Sequence, residues 1–141
     1  MNLAKKMIFA LAIGLVPVVL SACIPTTISK GSSSTPTGEY VKGSVVKGFP
    51  ANIPLYKGAK VIESYGNQGS YGATFTSSDS LSKVVDFYNK LPQLGWDTTI
   101  SQPSATNFVY DVKGGTFIGE VIVNTAADGK TTAITVSLAN R

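Results

Sequence analysis

The stretch Asp79-Ser-Leu-Ser-Lys-Val-Val-Asp-Phe-Tyr-Asn-Lys-Leu-Pro-Gln-Leu-Gly-Trp96 is the segment of this 141-residue chain whose apolar residues recur with the period of a helix. These residues form one stripe along the predicted helix, at Leu81, Val84, Val85, Tyr88 and Leu91. Ser80 is the predicted N-cap, because its hydroxyl can accept a hydrogen bond from a free amide of the first turn. Pro92 predicts that the regular helix ends there or kinks into one more turn before Gly95. The stripe therefore has to face a sheet.

The other ordered segments alternate apolar and polar residues, as strands do. Ala59 to Tyr65 and Ser70 to Ser77 are predicted to form a hairpin around the turn Gly66-Asn-Gln-Gly69. Further strands are predicted after the helix, and they begin at Trp96, Asn107, Thr116 and Thr131. The order β-β-α-β-β-β-β predicts a two-layer α+β fold, in which a curved antiparallel sheet of roughly five to six strands carries one helix on one face.

The composition excludes several classes of function. The chain contains no histidine, so imidazole bases, Ser-His-Asp triads and histidine-ligated metals are excluded. The formal net charge is +4, and about +2 remains after removal of Lys5 and Lys6 with the amino-terminal leader, which is not the footprint of a nucleic-acid-binding protein. No catalytic residues, metal site or cofactor are predicted, and the protein is expected not to be an enzyme.

The amino terminus resembles a bacterial lipoprotein signal. Lys5 and Lys6 precede an apolar run from Met7 to Leu20 that is too short for a comfortable membrane span. The run ends in Leu20-Ser21-Ala22-Cys23, which is similar to the lipobox of bacterial lipoproteins. The resemblance implies cleavage before Cys23 and lipidation of this single cysteine. An ordinary secretory signal that happens to end near a cysteine is the alternative.

Three segments are predicted along the chain. Residues 1–22 are the signal peptide, residues 23–48 are the lipidated cysteine and a tether rich in Ser, Thr, Gly and Pro, and residues 49–141 are a single α+β domain. Residues 39–48 are predicted either as an edge strand or as part of the linker. Ile24 follows the cysteine, where an Asp would retain a lipoprotein in the inner membrane of Gram-negative bacteria. The resemblance therefore implies the outer membrane in such a host, and otherwise the outer face of the cytoplasmic membrane.

The predicted domain carries a second resemblance. Its motifs are similar to FP-x-x-IP-x-YPGA and DS-x-x-x-VV-x-FY…L-x-x-GW, which occur in a family of small bacterial envelope lipoproteins. The matching residues are Phe49-Pro50, Ile53-Pro54-Leu55-Tyr56, Gly58-Ala59-Lys60-Val61, the Thr76 to Ser80 turn, Val84-Val85-Asp86-Phe87-Tyr88 and Gly95-Trp96. Lys57 and Leu81 stand where that family usually has proline. The family supplies no established activity, so the resemblance implies an envelope lipoprotein and no particular reaction.

Candidate binding residues lie on the predicted sheet. The face away from the helix is predicted to carry apolar and hydroxyl side chains, at Thr74, Thr76, Val109, Ile118 and Ile122. They either form a partner surface or are covered by the segment from Phe49 to Tyr56. Exposed aromatic residues offer a second candidate, at Tyr56, Tyr65 and Tyr71. The acids are assigned structural roles: Asp79 at the helix start, Asp86 on a solvated face, and Asp128 in a hairpin turn.

The leading hypothesis is a non-enzymatic, lipid-anchored interaction module of the bacterial cell envelope. The membrane is contacted through Cys23, and an envelope protein is the expected partner, with neither nucleic acid nor a metal ion. Binding of a small ligand or glycan is the alternative hypothesis. A hydrolase is the third class, and it would need an acid pair that only folding brings together.

Overall fold

The computed structural model describes residues 38–141 and places seven strands in one antiparallel sheet, in the order β1-β2-β3-β7-β6-β5-β4. The elements are β1 (Glu39–Lys42), β2 (Lys60–Asn67), β3 (Ser70–Ser77), α1 (Leu81–Tyr88), a 3-10 helix (Leu91–Leu94), β4 (Asp97–Ile100), β5 (Asn107–Gly114), β6 (Phe117–Thr125) and β7 (Thr132–Asn140). The predicted α+β class with an antiparallel sheet and one α-helix is confirmed. The prediction of five to six strands was too low, because β1 adds a strand at the sheet edge.

Residues 39–48, which the sequence left open, belong to the folded part of the chain. β1 pairs antiparallel with β2. Val46 is only 2% exposed, and its N–H donates to Ser64 Oγ at 2.7 Å. The Ser64 hydroxyl in turn donates to Ser44 O at 2.9 Å, so this buried serine satisfies two backbone groups of the chain that follows β1. The fold therefore includes residues before Phe49.

Three residues of the sequence set the start of α1 and the 3-10 turn that follows it. α1 itself ends at Tyr88, before the predicted end at Pro92. Ser80 has extended backbone angles, and its Oγ accepts a hydrogen bond from Lys83 N at 3.4 Å, as expected of an N-cap. Pro92 has no amide hydrogen, so the chain continues as a tighter 3-10 turn. Gly95 ends that turn with a φ of 85°, a left-handed conformation that glycine adopts without strain. Neither helix of residues 38–141 is long and apolar enough to cross a membrane.

The apolar stripe of the helical segment faces the sheet, as predicted. Val84, Tyr88 and Leu91 are fully buried, and Val85 is 8% exposed. The sheet contributes alternate residues of β3, β5, β6 and β7, namely Ala73, Phe75, Tyr110, Val112, Val121, Val123, Ile134, Val136 and Leu138. Helix and sheet thus share one hydrophobic core.

A buried tyrosine of β5 links the sheet to the helix. The Tyr110 hydroxyl lies 3.3 Å from Val85 O and 3.1 Å from Asn89 Oδ1, either of which can accept its hydrogen. Burial raises the pKa of Tyr110 to about 12, so the hydroxyl remains a donor at neutral pH. Burial also raises the pKa of Tyr88, whose ring centre lies 6.1 Å from that of Tyr110. Both rings therefore stay neutral inside the core.

The segment between β1 and β2, residues 43–59, is named the lead-in here, and it packs on the same face of the sheet as α1. Ile53 joins the main core and is 2% exposed. The Trp96 indole N–H donates to Asn52 O at 3.0 Å, which fastens the lead-in to the chain after the helix. The predicted alternative in which the Phe49 to Tyr56 segment covers the opposite face is therefore wrong.

The first prediction concerns this core. Val85→Asp should place an unpaired charge against the sheet, and Trp96→Ala should leave a cavity, with a loss of about 3 to 5 kcal/mol in the free energy of unfolding. Asp86→Asn, one residue along on the exposed side, should change it by less than about 0.5 kcal/mol. Urea unfolding of residues 38–141, which contain the whole core described above, measures the three values. An effect of Asp86→Asn as large as that of Val85→Asp would refute the assignment of the helix faces.

Candidate functional site

The face of the sheet opposite α1 and the lead-in, named the open face here, remains accessible to solvent. Its residues alternate along each strand with residues of the core. Three large side chains on it are about half exposed, at 56% for Tyr40, 51% for Tyr65 and 43% for Ile118. A contiguous exposed apolar patch is typical of a binding region, and Tyr40 and Tyr65 are directly opposite each other on β1 and β2.

Two hollows indent the open face, and Tyr65 borders both. The larger hollow has a volume of about 660 Å³ and reaches from Tyr65 on β2 to Asp97 and Thr99 on β4. The smaller has a volume of about 190 Å³ and reaches from Tyr40 on β1 to Thr135 on β7. Ligand sites commonly have volumes of about 300 to 1,000 Å³, so the larger hollow is of a suitable size.

The predicted aromatic candidates do not form one site. Tyr65 and Ile118 line the larger hollow together. Ile122 lies on the same face outside the hollow. Tyr71 packs on the opposite face, with its ring centre 6.2 Å from that of Phe49. Tyr56 also lies there, so the structure retains only Tyr65 of the three tyrosines as a member of the open face.

The predicted apolar and hydroxyl surface does lie on the open face. Four residues on neighbouring strands form one row, in which each is directly opposite the next. In strand order they are Thr74 on β3, Thr135 on β7, Ile122 on β6 and Val109 on β5. Thr76 lies in the neighbouring row. These side chains are half-buried. They form a mixed surface beside the larger hollow.

The fold also pairs two acids that the sequence analysis did not combine. Asp111 and Glu120 are directly opposite each other on β5 and β6, and both are exposed on the open face. The signal for this pair was present in the hairpin, since Gly114 pairs with Phe117 across a two-residue turn and the register follows by counting back along both strands. The pair lines the larger hollow.

A polar cluster on the helix side has a structural role. Asp79 accepts hydrogen bonds from the Tyr56 hydroxyl at 2.7 Å and from Lys83 Nζ at 2.8 Å. The Lys83 and Tyr56 hydrogen bonds lower the pKa of Asp79, and the same contacts raise the pKa of Tyr56 and of Lys83. The backbone oxygen of Asp79 accepts from Thr132 Oγ1 at 2.8 Å. The cluster therefore ties the lead-in, the helix start and β7 together.

Asp128 forms the turn between β6 and β7, as predicted. Its carboxylate accepts hydrogen bonds from the backbone of Thr131, from the backbone of Lys130 and from the Thr131 hydroxyl, which together lower the pKa of Asp128. No group of three or more His, Cys, Asp or Glu side chains between residues 38 and 141 is placed to hold a metal ion.

The second prediction concerns the pH dependence of the Asp79 cluster. Because the pKa of Asp79 is lowered in the folded state, its contribution to stability is present above the ordinary value of 3.8 and is lost as the pH falls through the lowered pKa. Asp79→Asn should therefore lower the midpoint of urea unfolding slightly at neutral pH, and the difference from the wild type should shrink as the pH falls below 3.8. Asp86→Asn, on the exposed side of α1, serves as the matched control and should leave the unfolding midpoint unchanged at neutral pH. A difference that stays constant down to low pH would contradict the assignment.

The predicted lipidation site lies outside the described residues, as do the lipobox residues Leu20, Ser21, Ala22 and Cys23, the signal peptide and the tether up to residue 37. The candidate site described above therefore consists only of residues between 38 and 141. Comparisons with protein-family models, with curated proteins and with solved structures find no match for this chain.

Proposed function

We propose that this protein is a lipid-anchored, non-enzymatic binding module of the bacterial cell envelope, which contacts an envelope partner through the open face. The observation that carries the proposal is the placement of both covering elements, α1 and the lead-in, on one face of a seven-stranded sheet. The other face keeps exposed tyrosine and isoleucine side chains around a hollow of about 660 Å³. Such a surface is suited to a partner.

The anchoring half of the proposal rests on the leader. A basic start, an apolar run and the residues Leu20-Ser21-Ala22-Cys23 are typical of a lipoprotein signal. Two or three acyl chains on Cys23 would hold the chain at a bilayer durably, since each buried methylene contributes about 0.8 kcal/mol. With Ile24 after the cysteine, we place the protein in the outer membrane of a Gram-negative host, and otherwise on the outer face of the cytoplasmic membrane.

A hydrolase is less well supported than a binding module. Asp111 and Glu120 supply the acid pair that such an enzyme would need. A carboxyl group that acts as a general acid is usually set in an apolar, buried environment, whereas both of these side chains are exposed. Binding of a small ligand or glycan beside Tyr65 remains the alternative function, because the exposed ring borders the larger hollow.

The third prediction tests the anchor. Cys23→Ala should release the protein from the membrane fraction or leave its leader uncleaved, because the proposed lipid attachment is lost. Ser33→Ala, in the tether, is the matched control and should leave both fractionation and processing unchanged. Fractionation of the full chain expressed in bacteria, with the size of the product read on a gel, gives the result. A Cys23→Ala protein that matures normally and stays on the membrane would refute the lipobox assignment.

The fourth prediction tests the open face in cells. A photo-crosslinking amino acid in place of Ser137, an exposed residue in the middle of this face, should form a defined adduct with an envelope protein. The same amino acid in place of Ser82, which is exposed on α1, is the control and should form none. Adducts at Ser82 alone, or at neither position, would contradict binding through the open face.

A further inference from the structure

One row of directly opposed residues crosses the open face from the first strand of the sheet to the last. Each member is the register partner of the next, so the side chains stand side by side across all seven strands. At about 4.8 Å between neighbouring strands, the row is roughly 29 Å long. In strand order it consists of Tyr40, Tyr65, Gly72, Ser137, Glu120, Asp111 and Thr99.

The β1 end of the row is aromatic and flat. Tyr65 covers the backbone of Gly72, since a Cβ at Gly72 would lie 2.1 Å from Cε1 of that ring. Gly72 is buried as a result, while the Tyr65 side chain stays 51% exposed. Tyr40 is held beside it, because its hydroxyl donates to Glu63 Oε2 at 2.7 Å. A ring that lies over a glycine in this way presents a π surface to a partner.

Small residues occupy the middle of the row. Gly72 and Ser137 occupy the two central strands, and the next row along the strands has Ser70 and Ala139 at the corresponding places. Small side chains here leave the larger hollow open between Tyr65 and the strands at the other end. An extended segment can therefore lie across the strands without displacing a side chain.

The β4 end of the row is acidic. Asp111 and Glu120 are directly opposed, and Asp97 lies on β4 opposite Lys113. The larger hollow thus contains three of the eight Asp and Glu residues of the chain and one lysine. Its net charge is negative, although the net charge of the whole chain is positive. Within residues 38–141 the only ion pair is Lys83 with Asp79, on the other face of the sheet. The carboxylates of the row thus remain available to a partner.

We propose that the row seats an extended, basic polypeptide segment, with a lysine or arginine at Asp111 and Glu120 and a second cationic or flat group over Tyr65. This inference rests on the proposed function and names the chemistry of the partner. Charge complementarity favours a cation, because the hollow carries three carboxylates against one lysine, and an aromatic face attracts cations as well. An extended chain advances about 3.3 Å per residue, so about nine residues span the row.

The test uses fluorescein-labelled octalysine and the full chain in a non-ionic detergent at low salt, with fluorescence anisotropy as the readout. The wild type should bind the peptide, and the double variant Asp111→Asn, Glu120→Gln should bind about tenfold more weakly. The matched control Glu39→Gln, Asp86→Asn removes the same charge from exposed positions off the open face and should change affinity less than about twofold. Tyr65→Leu keeps Gly72 covered but removes the π surface, and it should weaken binding about two- to fivefold.

Three outcomes would overturn the inference: no binding of octalysine by the wild type, equal losses for the double variant and its control, or displacement of octalysine by chitohexaose. Unfolding does not confuse the result, because removing two directly opposed negative charges should leave the melting temperature unchanged or higher. If octalysine binding fails while the Ser137 crosslink persists, the chemistry assigned to the partner is wrong and the binding function stands. If the Ser137 crosslink is absent, the proposed function itself fails.

Discussion

The fold depends on covering the apolar face of the sheet, and the single α-helix is too short to cover that face alone. The α-helix has eight residues and is about 12 Å long, whereas seven strands extend roughly 29 Å across the sheet. The lead-in supplies the remaining cover, with Val46 and Ile53 buried. The hydrogen bond from Trp96 Nε1 to Asn52 O fastens the lead-in to the chain after the helix over a separation of 44 residues. Without the lead-in, the apolar side chains of β2 and β3 would meet water.

Because α1 and the lead-in both pack on one face of the sheet, the side chains of the open face do not have to fit against another element. The core rows are filled by aliphatic and aromatic side chains, and the rows between them include threonine, serine, acids and two exposed tyrosines. The central strands nevertheless keep half-buried groups such as Ile122 on the open face, beside Thr74 and Thr135. This mixture distinguishes the open face from a merely solvated surface, since apolar and hydrogen-bonding groups are arranged around a hollow.

Local chemistry made much of this fold predictable. Ser80 sets the start of α1 through capping. Pro92 and Gly95 set the 3-10 turn and its end, through a missing amide hydrogen and a left-handed conformation, and each of the three acts within a few residues. The β5–β6 hairpin is equally local, so the pairing of Asp111 with Glu120 could have been derived from its turn. The partnership of β3 with β7 could not, because it joins residues about 60 apart and no turn sets its register. The complete row from Tyr40 to Thr99 depends on that non-local pairing.

Sheet position also decides how the module would respond to mechanical force. A load applied to the chain before Gly38 enters the fold at β1, an edge strand of four residues that is paired on one side only. When the load pulls the chain away from the sheet edge, the β1 ladder opens one residue pair at a time from Glu39, so β1 detaches before the other six strands are strained. The next resistance is the buried contact of Val46 with Ser64. Tension on the amino-terminal side would thus separate Tyr40 from Tyr65 and leave Tyr65 as the last aromatic residue at that end of the row. The helix and its core would stay folded.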